Sequence, residues 1–537
     1  MAIVMARGRN RHSKKREICA VSETLMVRCA LMTMLLAPFG TSAAEVARGH
    51  VFHDKNGNGI FDRNESGVRR VTVSNGREVV STDARGQYAL PVSNDTILFV
   101  IKPRGWTTAL DDDGISRGYY VHKPAGSPIT EYLGVAPTGP LPASVNFPLT
   151  RQHEPRKFDA LIFGDPQPED EEGVEHYGHD VVEELVGSDA KFGITLGDIV
   201  EDRLDLLDDI NASTALIGVP WHYVMGNHDM NKDSTTDVMA DETFERVYGP
   251  PYYSFTYGKV HVIALDSVYR EGDNYHGELG PRQLAFIEND LAHVPDDYLV
   301  VFAMHIPPVQ FTDKAALFDT VKDRSHLLMI AAHWHGIEQF FLGPDDGWHG
   351  ETPLHLYVAG ATGGSWWTGF RDASGIPHAT MSDGSPNGYT VLSVDGNDYT
   401  FRYKAAHRPA DYQMIITAPE SVVVAEAVAT EIVANVFAAS KRANVYMRLG
   451  DNDDWTPMTR QRGVDPFVKA FHMRENAIAP AEAPWGKPGE TNHLWVSALP
   501  ANPPAGMTVL YVRVVNGFGA TFTGQRLINI ESSHEVQ

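Results

Sequence analysis

FDALIFGDPQ, residues 158–167, is the stretch that decides the fold. From Phe158 to Phe163 only Asp159 interrupts an apolar run, which is how a strand buried on both faces reads. The run stops at Gly164, a carboxylate follows at Asp165, and an amide follows two residues later at Gln167. The same device recurs downstream. KFGITLGD (191–198) ends on Asp198, and VPWHYVMGNHD (219–229) ends on Asn227, His228 and Asp229. YLVVFAMH (298–305) ends on His305, and SHLLMIAAHWH (325–335) delivers His333 and His335. KVHVIALD (259–266) and LHLYVAGA (354–361) are further runs of the same kind. Helical stretches such as HDVVEELVG (179–187) and PRQLAFIENDLAHV (281–294) separate several of them, so residues 155–405 read as an α/β domain. Ligand sites in such sheets lie beyond the carboxyl ends of the strands. Five strands therefore send metal-competent side chains to one rim.

Working outward, PTGP (137–140) and RQHEP (151–155) mark the boundary with a small β domain over 45–150. Its short β-prone runs, RRVTVSN (69–75) and TILFVIKP (96–103), sit between Gly, Asp and Asn turns. Inside it, DKNGNGIFDRNE (54–65) fits the calcium-loop template D-x-N-x-N-G-x5-E. Asp54, Asn56, Asn58, Asp62 and Glu65 supply hard oxygens, Ile60 can add its carbonyl, and Gly59 permits the sharp turn. The preceding RGHVFHD reads as a strand, so the expectation is an EF-hand-like loop in a β module, holding a structural Ca2+. A turn held by Asx hydrogen bonds alone is the other reading. Beyond residue 410 the helices mostly vanish. ESVVVAEAVATEIVANVFAA (420–439), ANVYMRLG (443–450), HLWVSALP (493–500) and TVLYVRVVNGFG (508–519) read as strands of a C-terminal β-sandwich over 412–537. The length of 420–439 also admits a helix.

The chain has 537 residues, too many for one ordinary core, and 43% hydrophobic residues, normal for globular protein. A formal charge of −24 argues against a nucleic-acid-binding surface, which needs clustered Lys and Arg. Residues 1–44 read as a signal peptide. A basic lead-in (Arg7 to Arg16) and Arg28 precede the apolar run CALMTMLLAP (29–38), and small residues Ser42 and Ala44 suit cleavage after Ala44. Both cysteines, Cys19 and Cys29, lie in this leader, so the mature chain has no disulfide and no thiolate metal site. No later run is long and apolar enough to be a membrane helix. The expected location is periplasmic or secreted.

The series GDPQ (164–167), GDIVED (197–202), GNHD (226–229), MHIPP (304–308) and AHWH (332–335) resembles the calcineurin-like metallophosphoesterases. ATGGSWWTG (361–369) and SPNGYTVL (385–392), with both flanking β modules, are similar to an exported bacterial subgroup of that family. The resemblance implies a central β-sandwich flanked by helices (αββα) and a centre of two transition-metal ions, Mn, Fe or Zn. It implies that Asp198 bridges the metals, that the first takes Asp165, Gln167 and His335, and that the second takes Asn227, His305 and His333. It implies that His228 contacts the phosphate and assists the leaving oxygen, with Asp229 orienting it. Two-metal hydrolases hold their ions about 3.5–4 Å apart, which needs a bridging carboxylate. Neutral imidazoles and an amide oxygen hold such ions without cancelling their charge.

Three positions depart from the family pattern. Gln167 stands where His is usual, so its amide oxygen is a harder donor, and an outer hydrogen bond is its alternative role. Ala332 stands where Gly is common before H-x-H. Glu201–Asp202 follows GDIV, with Asp202 expected beside the ligands or as a helix cap. Trp366 and Trp367 are candidates for an aromatic wall over the substrate, or for packing against a neighbouring domain. The expected activity is hydrolysis of a phosphate mono- or diester by a metal-bound hydroxide. The alternative is a non-catalytic, calcium-stabilised surface or glycan-binding protein with a vestigial centre.

Overall fold

The computed structural model describes residues 45–451, 454–480 and 486–532. The leader reading at 1–44 lies outside them. Two sheets pack face to face in the centre. One has five strands in the order Trp221–Val224, Gly193–Leu196, Lys157–Phe163, Gly388–Asp395 and Asp398–Ala405, the first three parallel. The other has six, in the order Tyr253–Tyr257, Val260–Ala264, Leu299–Ala303, Leu327–Ala331, Leu354–Ala359 and Ile337–Leu342, the inner four parallel.

Period-2 alternation within each run assigns one set of side chains to the space between the sheets and the other to the helices outside. Ala160, Ile162 and Ile194 meet Val262, Val301 and Ile330 in the inner layer. Leu161 and Phe163 point outward, into a cluster with Val181, Leu207 and Ile210. On the other side Val300 and Phe302 join Phe286, Ile287 and Leu317. Both strand faces are covered, which is why the runs read as continuously apolar. The architecture is αββα, with β modules before and after it.

The module before it holds two four-stranded sheets, one containing Glu45–His53 and Phe147–Arg151, the other Thr72–Ser74 and Thr96–Ile101. In its Asp54–Glu65 loop, Asp54 accepts from Gly57 N (2.7 Å) and Gly59 N (2.8 Å), while Glu65 accepts from Lys55 N (2.8 Å) and Asp62 N (3.1 Å). Asn56 and Asn58 both donate to Asp62 Oδ2, at 3.0 and 3.1 Å. A strand precedes the loop, and the Asx bonds close it.

The module after the centre has sheets of four and five strands. The strand reading of 420–439 holds in two pieces, and one helix was not expected. Residues 420–439 divide into a strand Ser421–Val423, a 3-10 turn Val424–Ala429 and a strand Glu431–Val436. A helix, Pro466–Ile478, also lies among these strands, capped by Asp465, whose carboxylate accepts from Phe467 N at 2.8 Å. Proline at the first helical position and the acidic cap are its start signal. The earlier helix expected at 179–187 begins sooner, as Glu171–Tyr177, and continues through a wider turn to Leu185.

Candidate metal centre

At three of the five strand ends the backbone turns sharply around the polar residues. Asp165, Gln167, Asp198, Asp202, His333 and His335 all have positive φ, between 38° and 73°. That region is costly for residues with a Cβ, and such strain clusters where a site over-determines the backbone. Gly226 shows how tight the rim is: a Cβ there would sit 2.0 Å from Asp198 N. Ala332 is not at positive φ, so its methyl, in place of the family's glycine, adds no strain of that kind.

The predicted ligands converge. His305 Nε2 lies 3.2 Å from Asp198 Oδ2, 3.0 Å from Asn227 Oδ1 and 3.1 Å from His333 Nδ1. His305 Nδ1 is 2.8 Å from the carbonyl of Leu196, so Nδ1 carries a proton and Nε2 is the ring atom that faces the cluster. His335 repeats the device. Its Nδ1 is 2.6 Å from Gly364 O, and its Nε2 faces Asp165 Oδ1 at 3.8 Å. Asp165 in turn accepts from His333 N at 3.1 Å. Asp198, His305 and His333 present one ligand atom each within 4.8 Å of one another. Lone pairs gathered so closely repel unless a proton or a metal cation lies among them.

Gln167 adds a direct observation. Its Nε2 donates to Glu201 Oε2 (2.5 Å) and Asp198 Oδ2 (3.3 Å), while its Oε1 is buried without a hydrogen-bond partner. A buried acceptor left bare is costly. The amide is thus turned so that the oxygen is available and the NH2 is held by a carboxylate. The donor set of carboxylates, imidazole nitrogens and amide oxygens fits mid-row divalent ions.

Electrostatics agree. Burial pushes the Asp165 carboxyl well above the usual range. Burial works against charge on His305 and Asp198 alike, but their mutual attraction outweighs it: Asp198, with Asp165, pushes His305 up to about 9, and His305 holds the Asp198 carboxyl below the usual range, so a proton on His305 occupies the place an ion would take. Burial lowers His333 to about 3 and His335 to about 4, keeping both imidazoles neutral.

His228 stands beside this cluster. Its backbone N–H donates to Asp198 Oδ1 at 2.9 Å, and its Nδ1 lies 2.6 Å from Asp202 Oδ1. Asp229 does not reach the ring. It accepts from Ile199 N (2.9 Å), Val200 N (3.3 Å) and Gly226 N (2.8 Å), binding the GDIV turn to the GNHD turn. The nearest carboxylate to His228 is therefore Asp202, which is also paired with Lys232, with Glu201 Oε1 farther off at 3.3 Å from the same Nδ1. Asp229 organises backbone instead.

A cavity of about 340 Å³ opens over these residues. Trp366 is in its wall, stacked on His335 with ring centroids 4.0 Å apart. Trp367 is not; it is buried, and its Nε1 donates to Pro166 O at 2.7 Å, bracing the GDPQ loop from behind. Tyr275, from the hairpin Val268–Glu271/Asn274–Gly277, and Lys487, from the C-terminal module, also line the cavity. Neither follows a strand-end motif, so the sequence offered no local signal for them. Glu201 and Asp202 did carry one, in the acidic pair after GDIV.

Two family models match the chain. Residues 55–133 match the N terminal of Calcineurin-like phosphoesterase, and residues 356–522 match the C terminal of Calcineurin-like phosphoesterase. No curated protein matches. Among solved structures, a purple acid phosphatase, PPD1, from yellow lupin (Lupinus luteus) seeds is similar at 12% identity and a TM-score of 0.35. That alignment covers 67% of this chain and 66% of the lupin chain, just under two thirds of the latter. At that score no residue is carried across. The two matched regions flank the rim that bears the motif series, and in both of them the chain is similar to calcineurin-like phosphoesterases.

Proposed function

We propose that this chain is an exported, two-metal phosphoesterase that hydrolyses a phosphate mono- or diester. The observation that carries the reading is the convergence of Asp198, Asn227, His305 and His333 beside the bare Oε1 of Gln167. Asp198 would be shared by both ions, with Asp165, Gln167 and His335 on one and Asn227, His305 and His333 on the other. When bound, such ions supply Lewis-acid stabilisation of phosphoryl oxygens and lower the pKa of an attacking water.

The protein's own groups do the rest. His228 lines the cavity with its Nδ1 proton held by Asp202, which leaves Nε2 to hold a proton for the departing oxygen. The carbonyls of Leu196 and Gly364 fix the rings of His305 and His335, so neither imidazole must reorient when an ion or substrate arrives. Trp366 shields His335 from solvent on the cavity side. Residues 45–150, 155–405 and 412–537 act in this reading as an accessory β domain, the catalytic domain and a C-terminal sandwich. The Asp54–Glu65 loop is assigned a structural Ca2+ role. Among the described residues no helix is long and apolar enough to cross a membrane.

The test is hydrolysis of p-nitrophenyl phosphate and bis-p-nitrophenyl phosphate by the purified mature chain. The reading expects turnover that a chelator removes and Mn2+ restores. No turnover after reconstitution with Mn2+, Fe2+ and Zn2+ would reject it.

A further inference from the structure

The central sheets do not enclose the cavity by themselves. Gly486 and Lys487, from the segment between the Pro466–Ile478 helix and the strand Glu490–Ala498, form part of its wall. Residues 486–489 are anchored. Gly486 N donates to Ser365 Oγ at 2.9 Å, and Gly489 N donates to Ser382 O at 2.8 Å. Ser365 and Ser382 belong to the loops of the central domain that line the same cavity. The approach is close: a Cβ at Gly486 would lie 2.6 Å from Ser365 Oγ and would displace that hydroxyl. Behind the anchor, the buried Asp383 accepts from Ile337 N (2.7 Å) and lies 3.1 Å from His493 Nε2, while Asn435 Nδ2 donates to Asp383 O (2.8 Å). The C-terminal module is thereby fixed against the site.

Lys487 is the only lysine or arginine lining the cavity among the described residues, and it makes no ion pair among them. In a chain of net charge −24, a lysine placed here stands apart from the general balance. The centre proposed above already supplies cations for the scissile phosphate. A further ammonium on the C-terminal wall suits a second anion, as a mobile point charge with three donors. Trp366 and Tyr275 provide apolar faces on the same cavity, whose volume of about 340 Å³ suits a small-molecule ligand.

We propose that Lys487 reads a second phosphate joined to the scissile one, so that the preferred substrates are diphosphate diesters with a P–O–P link. This rests on the phosphoesterase reading and narrows it. Water adds to one phosphorus and the bridging P–O bond breaks. The departing phosphate monoester leaves with the bridging oxygen, which takes a proton held at His228. Two monoesters result and no redox partner is required.

The test compares UDP-glucose with bis-p-nitrophenyl phosphate on the Mn2+-loaded full chain, in wild type, Lys487→Ala and Lys487→Arg. Wild type should favour UDP-glucose in kcat/KM. Lys487→Ala should lose at least tenfold on UDP-glucose and less than twofold on bis-p-nitrophenyl phosphate, with Lys487→Arg recovering most of the loss. Calorimetric binding of uridine 5′-(α,β-methylene)diphosphate should weaken at least tenfold in Lys487→Ala. Equal losses on both substrates, or none on UDP-glucose, would overturn the proposal. Wild-type turnover of bis-p-nitrophenyl phosphate but not UDP-glucose would overturn it and leave the phosphoesterase reading standing. Turnover of neither would remove both.

Discussion

Replacing Asp202 by asparagine tests which carboxylate serves His228. The oxygen of Asp202 lies 2.6 Å from His228 Nδ1, whereas Asp229 spends its oxygens on three backbone amides. A side-chain amide at this position would keep the shape and lose the charge. A hydrogen bond to a charged group contributes roughly 1.5–3 kcal/mol. Here the side chains of His228 and Asp202 are 22% and 42% exposed, and Lys232 shares the carboxylate, so the low end applies. A loss of about 1.5 kcal/mol in the transition state is roughly tenfold in rate. Asp202→Asn should therefore lower kcat on bis-p-nitrophenyl phosphate about tenfold, with KM and metal content nearly unchanged. It should also shift the alkaline limb of the kcat–pH profile downward, because the imidazolium loses its stabilising partner. Asp229→Asn should act differently, lowering thermal stability and metal retention together, since it ties two ligand-bearing turns. An Asp202→Asn variant with wild-type kcat and pH profile, beside an Asp229→Asn variant that loses only the pH-dependent step, would refute this division of roles.

Gln167→Ala should weaken metal affinity by roughly 10–100-fold, the range seen when groups around a metal site are removed, measured as the Mn2+ concentration for half-maximal activity. An unchanged Mn2+ requirement would make Gln167 a bystander. Ca2+ should raise the melting temperature of the wild type but not of Asp54→Asn, because Asp54 closes both ends of the loop's first turns; equal shifts would assign calcium elsewhere. A third expectation concerns pH. Burial pushes Asp266 up to about 8, with Asp237 adding to it, and burial pushes Glu245 to about 7. These groups border a cavity of about 190 Å³ between the first β module and the central domain. In the unfolded chain such carboxyls titrate near about 4. Between those values the folded state binds more protons than the unfolded state, so stability falls as pH rises from about 4 to about 8. Asp266→Asn should raise the melting temperature more at pH 8 than at pH 5, and a pH-independent difference would contradict the assignment.

The rim was legible because a strand buried on both faces writes itself as a continuous apolar run, and its end is marked by the first polar residue. Asp165, Asp198, Asn227, His305 and His333 were all placed by that rule. The direction in which a side chain leaves the turn was not legible. Asp202 reaches His228 because its backbone sits at φ 63°, which no local pattern specifies. Trp366 and Trp367 are neighbours in sequence with opposite roles, since consecutive positive φ values send one ring into the cavity and the other behind the GDPQ loop. Tyr275 and Lys487 arrive by tertiary packing of a hairpin and a distant module. The helix Pro466–Ile478 was missed although Asp465–Pro466 announced it; the surrounding strand-like runs outweighed a short start signal.

The most direct test of the account is the number of Mn2+ ions retained per chain after reconstitution and gel filtration in the presence of excess Ca2+, for wild type and Asp198→Asn. Near two ions in wild type, and one or none in Asp198→Asn with turnover nearly abolished, is the expected result. One ion or none in a wild type that still hydrolyses phosphate esters, or unchanged retention and activity in Asp198→Asn, would contradict a shared two-metal centre.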